Sequence, residues 1–227
     1  MSLIKLEDVT KIYPPYYKAL HKISLEIPKE DFLLITGPTG AGKTTLLKLI
    51  YAQERPTEGE LYWEGVPYSE LRYKDLIKIR KKIGVVFQDH KLFSELSLYE
   101  NLEISLALAR KKIKKVKFFI YEWLERFNLA HKAKKKVKEL SGGEQQKLGI
   151  LRAIIKDPPV LILDEPTGNL DPFSLGEVIE LLLNLHREGK TILLSTHDPT
   201  IISKRPGRII MLNRGELVKD VDLYWKT

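Results

Sequence analysis

The sequence predicts an α/β fold built around a mainly parallel β-sheet, and three observations indicate it. Four short runs are apolar over most of their length, as expected for strands of a parallel sheet that is covered on both faces. Segments in which apolar residues recur at helical spacing lie between these runs, so strands and helices alternate along the chain. Polar or loop-forming residues follow each run directly, at the sheet edge where α/β proteins bind their ligands.

The sequence predicts three groups of elements: central strands, helices and half-exposed strands. The apolar runs predict central strands at 32–36 (FLLIT), 84–87 (GVVF), 160–163 (VLIL) and 191–195 (TILLS). Helical periodicity predicts helices over about 43–52, 72–82, 98–109, 113–127, 142–156 and 173–188. Apolar and polar residues alternate in three more segments, which predicts half-exposed antiparallel strands at 3–9 (LIKLEDV), 21–27 (HKISLEI) and 59–65 (GELYWEG).

Length and composition limit the class of protein further. With 227 residues, of which 43% are hydrophobic and 30% charged, the chain is long enough for one substantial core, and we expect one domain with subdivisions. The sequence has no cysteine, which excludes disulfides, thiolate nucleophiles and Cys-ligated zinc, so metal chemistry must use oxygen ligands. No run approaches the roughly 18 to 20 apolar residues of a membrane span, and MSLIKLEDVT at the N-terminus lacks the order of a signal peptide. We therefore expect the chain to stay in the cytoplasm.

The net charge of +8 is compatible with an anionic partner, but the lysines are unevenly distributed. Two runs hold many of them, RKKIKKVK at 110–117 and KAKKKVK at 132–138. Apolar residues recur at helical spacing in and after the first run, which indicates an amphipathic helix whose lysines form the solvent-facing side. The alternatives are that the lysines attract anionic lipid or nucleic acid. These apolar residues are Ile113, Val116, Ile120, Trp123, Leu124 and Phe127.

GPTGAGKT at 37–44 fits the phosphate-loop pattern, and it stands between a predicted strand and a predicted helix, as that pattern requires. Lys43 offers a cation to the outer phosphates of a nucleotide, and Thr44 offers a hydroxyl to Mg²⁺. The alternative is an ordinary glycine turn between strand and helix. The predicted phosphate-binding residues are Gly37, Pro38, Thr39, Gly40, Ala41, Gly42, Lys43, Thr44 and Thr45.

The other strand ends carry further polar residues. Asp164 and Glu165 end the VLILDE run, where an acidic pair is costly unless it faces a metal or a cleft. We expect Asp164 to bind Mg²⁺ together with Thr44, and Glu165 to orient or deprotonate an attacking water. The alternative for the pair is a role in a turn or a helix cap.

His197 follows the TILLST run, and we expect it to donate a hydrogen bond to the terminal phosphate and to interact with Glu165. Its alternative role is structural, because STHDP is typical of a turn followed by a helix cap at Asp198. Gln88 follows the GVVF run at the same sheet edge, and only this position suggests a function for it.

LSGGE at 140–144 predicts a second phosphate site. Ser141 and Glu144 have the spacing of a capping box, which explains a helix start but not the two glycines, Gly142 and Gly143. A helix that starts with Ser-Gly-Gly exposes its N–H donors and its partial positive charge. Because the chain already binds phosphates at 37–44, this second site would serve the nucleotide of another subunit. We expect a two-fold homodimer with two ATP molecules in its interface.

The order and spacing of these motifs, together with DEPTGNLD through Asp171, resemble those of the ATP-binding-cassette (ABC) ATPases. The resemblance implies an ATPase that uses ATP and Mg²⁺, with the P-loop NTPase ABC fold: a core sheet, a small antiparallel β subdomain and a helical subdomain. It further implies that residues 1–88 and 157–227 form the nucleotide-binding core and that 89–156 form the helical subdomain.

Three more assignments come from the resemblance. Tyr13 would stack on adenine, with Tyr16 and Tyr17 as alternatives. Asp171 would lie at the interface between protomers. Gln88 is assigned to the catalytic and metal sites, and would link the nucleotide to a groove in which a membrane partner docks.

Within the family, TGPTGAGKTTLLKLI, IGVVFQDHKLF, YENL and LSGGEQQKLGILRA resemble the cell-division ATPases. These act with an integral membrane partner that controls peptidoglycan hydrolases, which implies a position on the inner face of the membrane. Lipoprotein-releasing and macrolide-export ATPases are the alternatives, since they share DEPTGNLD.

Two other classes of function compete with this interpretation. The positive charge suggests a nucleic-acid-associated ABC ATPase, but the chain lacks the coiled-coil insertion, zinc cysteines and second cassette usual in such proteins. A scaffold with a degenerate ATP site is disfavoured because Lys43, Asp164, Glu165 and His197 are all present.

Overall fold

The structure is a computed structural model, and it describes residues 2–89, 91–109, 113–166, 170–204 and 207–221. The described strands are β1 (Ser2–Tyr13), β2 (Tyr17–Pro28), β3 (Phe32–Thr36), β4 (Glu58–Trp63), β5 (Val66–Pro67), β6 (Ile83–Val86), β7 (Val160–Asp164), β8 (Thr191–Ser195), β9 (Arg208–Asn213) and β10 (Glu216–Val221). The described α-helices are α1 (Lys43–Ile50), α2 (Tyr73–Lys82), α3 (Leu98–Ala109), α4 (Val116–Arg126), α5 (Gly142–Ile154), α6 (Pro172–Arg187) and α7 (Pro199–Lys204).

The central sheet has six strands in the order β10-β9-β3-β8-β7-β6. Adjacent strands from β9 to β6 pair in parallel, and β10 pairs antiparallel with β9. Every residue of β3, β7 and β8 is buried, which explains why these strands are continuous apolar runs in the sequence. The predicted α/β fold with a mainly parallel core sheet is confirmed.

The second sheet is antiparallel and has the order β2-β1-β4-β5. Buried and exposed residues alternate over much of β2, which is the pattern that the sequence indicated for a half-covered strand. This sheet packs against one face of the central sheet and completes a core with α1 and α2.

The central sheet separates two hydrophobic cores, because successive side chains of β3 point to opposite faces. Leu33 and Ile35 pack toward the antiparallel sheet, whereas Phe32 and Leu34 pack toward the helices α3 to α6. Both faces of the sheet are therefore covered, and its strand ends are the place where polar groups can reach solvent. No described helix is long and apolar enough to cross a membrane.

The structure differs from the sequence-based prediction at several elements. The strands β9 and β10 and the helix α7 were not predicted, because β10 carries mostly exposed or half-buried residues and α7 has only six residues. Helix α4 begins at Val116 rather than at 113, since Lys115 has a left-handed φ of 59°.

Lys117 on α4 is exposed while Ile120 and Leu124 are buried, and Lys114 and Lys115, just before the helix, are exposed too, which agrees with solvated lysines in this run. Residues 110–112 of the first lysine run lie outside the described residues.

Candidate nucleotide site

The loop between β3 and α1 has a backbone that only glycine accommodates at two positions. Gly37 has a φ of 138°, and a Cβ there would lie 2.1 Å from the carbonyl oxygen of Leu212. Gly42, the N-cap of α1, has a φ of 102°, and its Cβ would lie 2.6 Å from the carbonyl oxygen of Ala19. The loop thus closes tightly against neighbouring strands and presents the start of α1, where N–H groups favour an anion.

A cleft of about 420 Å³ lies over this loop. It brings together residues from four strand ends that are far apart in the sequence, as expected for the carboxyl edge of an open α/β sheet. The residues that line it are Tyr17, Thr39, Gly40, Ala41, Gly42, Lys43, Thr44, Thr45, Gln88, Gln146, Glu165 and His197.

Lys43, Glu165 and His197 form a charged cluster in this cleft. The Lys43 Nζ lies 3.3 Å from one carboxylate oxygen of Glu165, and the His197 Nδ1 lies 2.9 Å from the other. Lys43 is buried, with 7% of its side chain exposed, and it also donates to the carbonyl oxygens of Gly37 at 2.8 Å and Pro38 at 3.2 Å. The cluster places a cation, a carboxylate and an imidazole within reach of one bound group.

The backbone of Glu165 has a φ of 47°, in the left-handed region that residues other than glycine seldom adopt. Its N–H is held by both the hydroxyl and the carbonyl oxygen of Ser195, each at 3.1 Å. Such strain persists only where surrounding contacts impose it, and it is common at functional sites. The Glu165 side chain, 15% exposed, contacts both Lys43 and His197.

Asp164 ends β7 and is buried, with 7% of its surface exposed. Its Oδ1 accepts a hydrogen bond of 2.6 Å from the hydroxyl of Ser195, which is fully buried at the end of the neighbouring strand β8. Ser195 was not among the site residues predicted from the sequence, although a hydroxyl at the end of an otherwise apolar run was a signal for it. Ser195 fixes the orientation of the carboxylate that is expected to bind Mg²⁺.

Tyr17 lines the cleft, and the Tyr13 ring stacks on it. The two rings are stacked, with centroids 6.4 Å apart and planes 20° apart. The Lys11 Nζ lies 5.1 Å from the Tyr13 ring centroid, and Tyr13 neighbours both Thr45 and Glu54. Burial raises the pKa of Tyr13 to about 12, and the Glu54 carboxylate adds to that rise. Tyr16 is 91% exposed.

The LSGGE segment caps α5 as its spacing indicated. The Ser141 hydroxyl accepts from the Glu144 N–H at 3.4 Å, and the Glu144 carboxylate accepts from the Ser141 N–H at 3.0 Å. Lys132 pairs with Glu144, and this hydrogen bond is the main cause that lowers the pKa of the Glu144 carboxyl. Ser141 and Gly142 are exposed, and within the described part of the chain this helix start does not line the cleft.

Two aspartates cap helices. Asp171 accepts from the N–H groups of Phe173 and Ser174, both at 3.0 Å, at the start of α6. Hydrogen bonding to the Ser174 side chain and then to these N–H groups lowers the Asp171 pKa. Asp198 accepts from the Thr200 N–H at 2.8 Å, so the cap expected there is present beside His197. Residues 167–169 of the DEPTGNLD segment lie outside the described residues.

A second groove, of about 600 Å³, lies where α2 and the strand β6 meet α3 and α5. Phe87 lines this groove, whereas the next residue, Gln88, lines the nucleotide cleft. Ile83 and Val85 give the groove an apolar floor, and Leu108, at 69% exposure, stands at its mouth. Four basic residues also line it, namely Arg80, Lys81, Arg152 and Lys156.

Comparison with known proteins agrees with this geometry. The family model described as ABC transporter matches residues 20–168. A dimeric structure of the ATP-binding cassette MJ0796, in a post-hydrolysis state bound to ADP and Pi, superposes with a TM-score of 0.89 at 36% identity, covering 97% of this chain and 98% of that one. The cbiO1 subunit of Clostridium perfringens superposes with a TM-score of 0.80 at 29% identity, covering 96% of this chain and 88% of that one.

The chain belongs to the ABC transporter family, and it is an ATPase that uses ATP and Mg²⁺. It is similar over nearly its whole length to the cell division ATP-binding protein FtsE. The FtsE of Bacillus subtilis is 38% identical over 218 residues, which cover 96% of each chain. The FtsE of Escherichia coli is 37% identical over 215 residues, which cover 95% of this chain and 97% of that one.

Proposed function

We propose that this chain is an FtsE-like ATPase subunit that dimerises around two MgATP and drives an integral membrane partner in bacterial cell division. The single observation that supports it most is the Lys43, Glu165 and His197 cluster at the mouth of a phosphate loop. The full-length similarity to FtsE proteins supports the cell-division branch of the family.

In the proposed reaction, water attacks the terminal phosphorus of ATP. Glu165 takes a proton from that water, the bond to the bridging oxygen breaks, and ADP and phosphate leave. His197, held against Glu165 at 2.9 Å, donates a hydrogen bond to the terminal phosphate. Lys43 exchanges its contacts with loop carbonyls for the phosphate oxygens, which carry more charge.

Mg²⁺ supplies charge neutralisation on the phosphates when it is bound. The residues present fit this ion, because it prefers oxygen ligands and one or two protein groups besides phosphate oxygens and water. The Thr44 hydroxyl and the Asp164 carboxylate would hold it, and Gln88 lines the same cleft as Thr44. The hydrogen bond from Ser195 keeps Asp164 in one orientation.

The adenine would stack on the pair formed by Tyr17 and Tyr13. Tyr17 lines the cleft, and Tyr13 stacks on it with ring centroids 6.4 Å apart. Aromatic faces bind planar bases in this way.

The dimer would place the start of α5 against the nucleotide of the partner subunit. Ser141 and Gly142 are exposed and lie outside their own cleft, so their donors are available to a second molecule. Asp171, already held at the start of α6, would lie in the same interface. The dimeric structure of the cassette MJ0796 supports the formation of a dimer by a chain of this fold.

The membrane partner would be an FtsX-like integral protein that docks in the groove beside β6. Its apolar floor suits the apolar face of a short helix, and its four basic residues suit carboxylates on that helix. Because Phe87 lines the groove and Gln88 the cleft, nucleotide binding and docking share one segment. Docking would hold the subunit at the inner face of the membrane.

We further propose a subdivision of the chain. Residues 1–88 and 157–227 would form the nucleotide-binding core with its β subdomain, and 89–156 would form the helical subdomain. The groove lies between them, so closure of the dimer would move its two walls relative to each other.

The partner is identified by purifying a tagged Glu165→Gln variant from native membranes in the presence of MgATP. Loss of the base slows hydrolysis and traps the ATP-bound dimer. Recovery of an FtsX-like protein is the expected result. A lipoprotein-releasing or macrolide-export permease would contradict the cell-division role, and tight, salt-sensitive binding of DNA or RNA would instead favour a nucleic-acid-associated ATPase.

A further inference from the structure

Gln146 is a polar residue at a position where the fold calls for an apolar one. It lies one turn into α5, and its successors at helical spacing on the same face, Gly149, Ile150 and Ala153, are all buried. Gln146 itself is 2% exposed. Core-facing positions of this kind usually hold aliphatic residues, because a buried amide loses its hydrogen bonds to water.

The Gln146 amide has not replaced those hydrogen bonds within the protein. Its Nε2 is buried and finds no hydrogen-bond partner among the residues that the structure describes. Most buried donors in folded proteins are paired, so an unpaired one calls for a specific explanation. The side chain lines the nucleotide cleft, where it shares the wall with Lys43, Glu165 and His197.

The cleft that Gln146 lines can supply the missing acceptor through the molecule that it binds. Glu165, the carboxylate that lines the same cleft, is already engaged, since one oxygen lies 3.3 Å from the Lys43 Nζ and the other 2.9 Å from the His197 Nδ1. ATP brings several strong oxygen acceptors, and the residues that share this wall with Gln146 are those expected to handle its terminal phosphate.

We propose that Gln146 is a further residue of the nucleotide site, whose side-chain amide donates to an oxygen at the terminal-phosphate end of MgATP. This inference rests on the proposed function of the cleft. It explains why an unpaired amide persists at a buried helical position: the group lowers the stability of the free protein and gains its partner from the substrate.

The test compares Gln146→Leu with the parent protein, both in a Glu165→Gln background so that ATP is not consumed during the measurement. Leucine has a similar size and removes only the polar group. The matched control is Gln145→Leu, because Gln145 is the neighbouring glutamine, donates to the Leu140 carbonyl at 3.1 Å and does not line the described cleft.

Gln146→Leu is expected to melt at the same temperature as its parent, or higher, without nucleotide. Its Kd for MgATP should rise about tenfold, as for a lost hydrogen bond to a charged group, while its Kd for MgADP changes less than twofold. The Gln145→Leu control should keep both affinities. Gln146→Glu, which removes the donor and adds a charge beside the phosphates, should weaken MgATP binding at least as much.

Two results overturn the inference. One is an unchanged MgATP affinity in Gln146→Leu, and the other is an equal loss for MgATP and MgADP accompanied by a lower melting temperature, which would indicate a packing role. Both leave the proposed function intact if the wild-type chain binds and hydrolyses MgATP. A wild-type chain that does neither would remove the proposed function itself.

Discussion

Replacing Ser195 by alanine tests how the buried acidic residue of the site is held. The Ser195 hydroxyl donates to Asp164 at 2.6 Å, and both residues are buried. The same hydroxyl accepts from the Glu165 N–H, but that N–H keeps the Ser195 carbonyl oxygen at 3.1 Å as a second acceptor. The substitution therefore removes one hydrogen bond to a charged group and leaves Asp164 with one donor fewer.

The expected magnitude follows from that count. A hydrogen bond to a charged group contributes roughly 1.5 to 3 kcal/mol, so we expect Ser195→Ala to lower the free energy of unfolding by about 2 kcal/mol. For a chain of this size that corresponds to a fall of about 4 to 8 °C in the melting temperature. A metal-binding carboxylate that loses its orienting partner typically loses metal affinity on the order of tenfold, and the Mg²⁺ concentration for half-maximal ATPase activity should rise accordingly.

Differential scanning calorimetry and a Mg²⁺ titration of phosphate release measure the two effects. Ser203→Ala is the matched control, because the Ser203 hydroxyl makes a local, exposed hydrogen bond to the Thr200 carbonyl at 2.8 Å. It should change stability by less than about 0.5 kcal/mol. A Ser195→Ala protein that melts within 1 °C of the wild type and keeps its Mg²⁺ dependence would refute the reasoning.

Three other predictions follow from the geometry. His197→Ala should lower kcat by about a hundredfold with little change in KM, because His197 contacts Glu165 and its proposed role is to donate a hydrogen bond to the transferred phosphate. Steady-state kinetics check this, and an unchanged kcat contradicts it. Gly42→Ala should abolish binding of a fluorescent ATP analogue, because the added Cβ would lie 2.6 Å from the Ala19 carbonyl oxygen. Gly40→Ala should still bind the analogue, because nothing lies within 4 Å of its added Cβ. It should lose about 1 kcal/mol of stability, because Gly40 has a φ of 78°. Lys29 and Lys82 lower the pKa of Glu64 to about 2 from 4.5, so the stabilisation by Glu64 is present above pH 4.5 and lost as the pH falls toward 2. The melting temperatures of wild type and Glu64→Gln should converge over that range, and a constant gap would show that the ion pairs are not responsible.

The sequence was sufficient for the central strands and for most residues of the cleft. Continuous apolar runs identify strands that are buried on both faces, and the residues after them must meet at one edge of a parallel sheet. This is why Lys43, Gln88, Glu165 and His197 could be grouped from the sequence, and the structure brings all four to one cleft.

Other features could not be predicted because they depend on packing between distant segments. Tyr13 stacks on Tyr17, and Tyr17 is the one that lines the cleft. The sequence alone could not show which of the neighbouring tyrosines does so. Ser195 looked like the end of a buried strand, and Gln146 was hidden in a regular helical pattern. In both cases the available signal was a polar residue at an apolar position, which acquires meaning only when its neighbours are known.

The exposed edge of the fold was missed for a different reason. β10 carries mostly exposed or half-buried residues, so it gives no continuous apolar run. Its pairing with β9 supplies the stability that the local sequence does not indicate.

The most direct test of the central claim is the rate of phosphate release from MgATP by the wild-type protein and by Glu165→Gln, measured together with nucleotide affinity. Glu165 lies between Lys43 and His197 in a strained backbone conformation, so the substitution should leave ATP binding within a few-fold. Hydrolysis should be Mg²⁺-dependent in the wild type and at least about a hundredfold slower in the variant. A variant that binds ATP and hydrolyses it at the wild-type rate would contradict the assignment of Glu165 as the base.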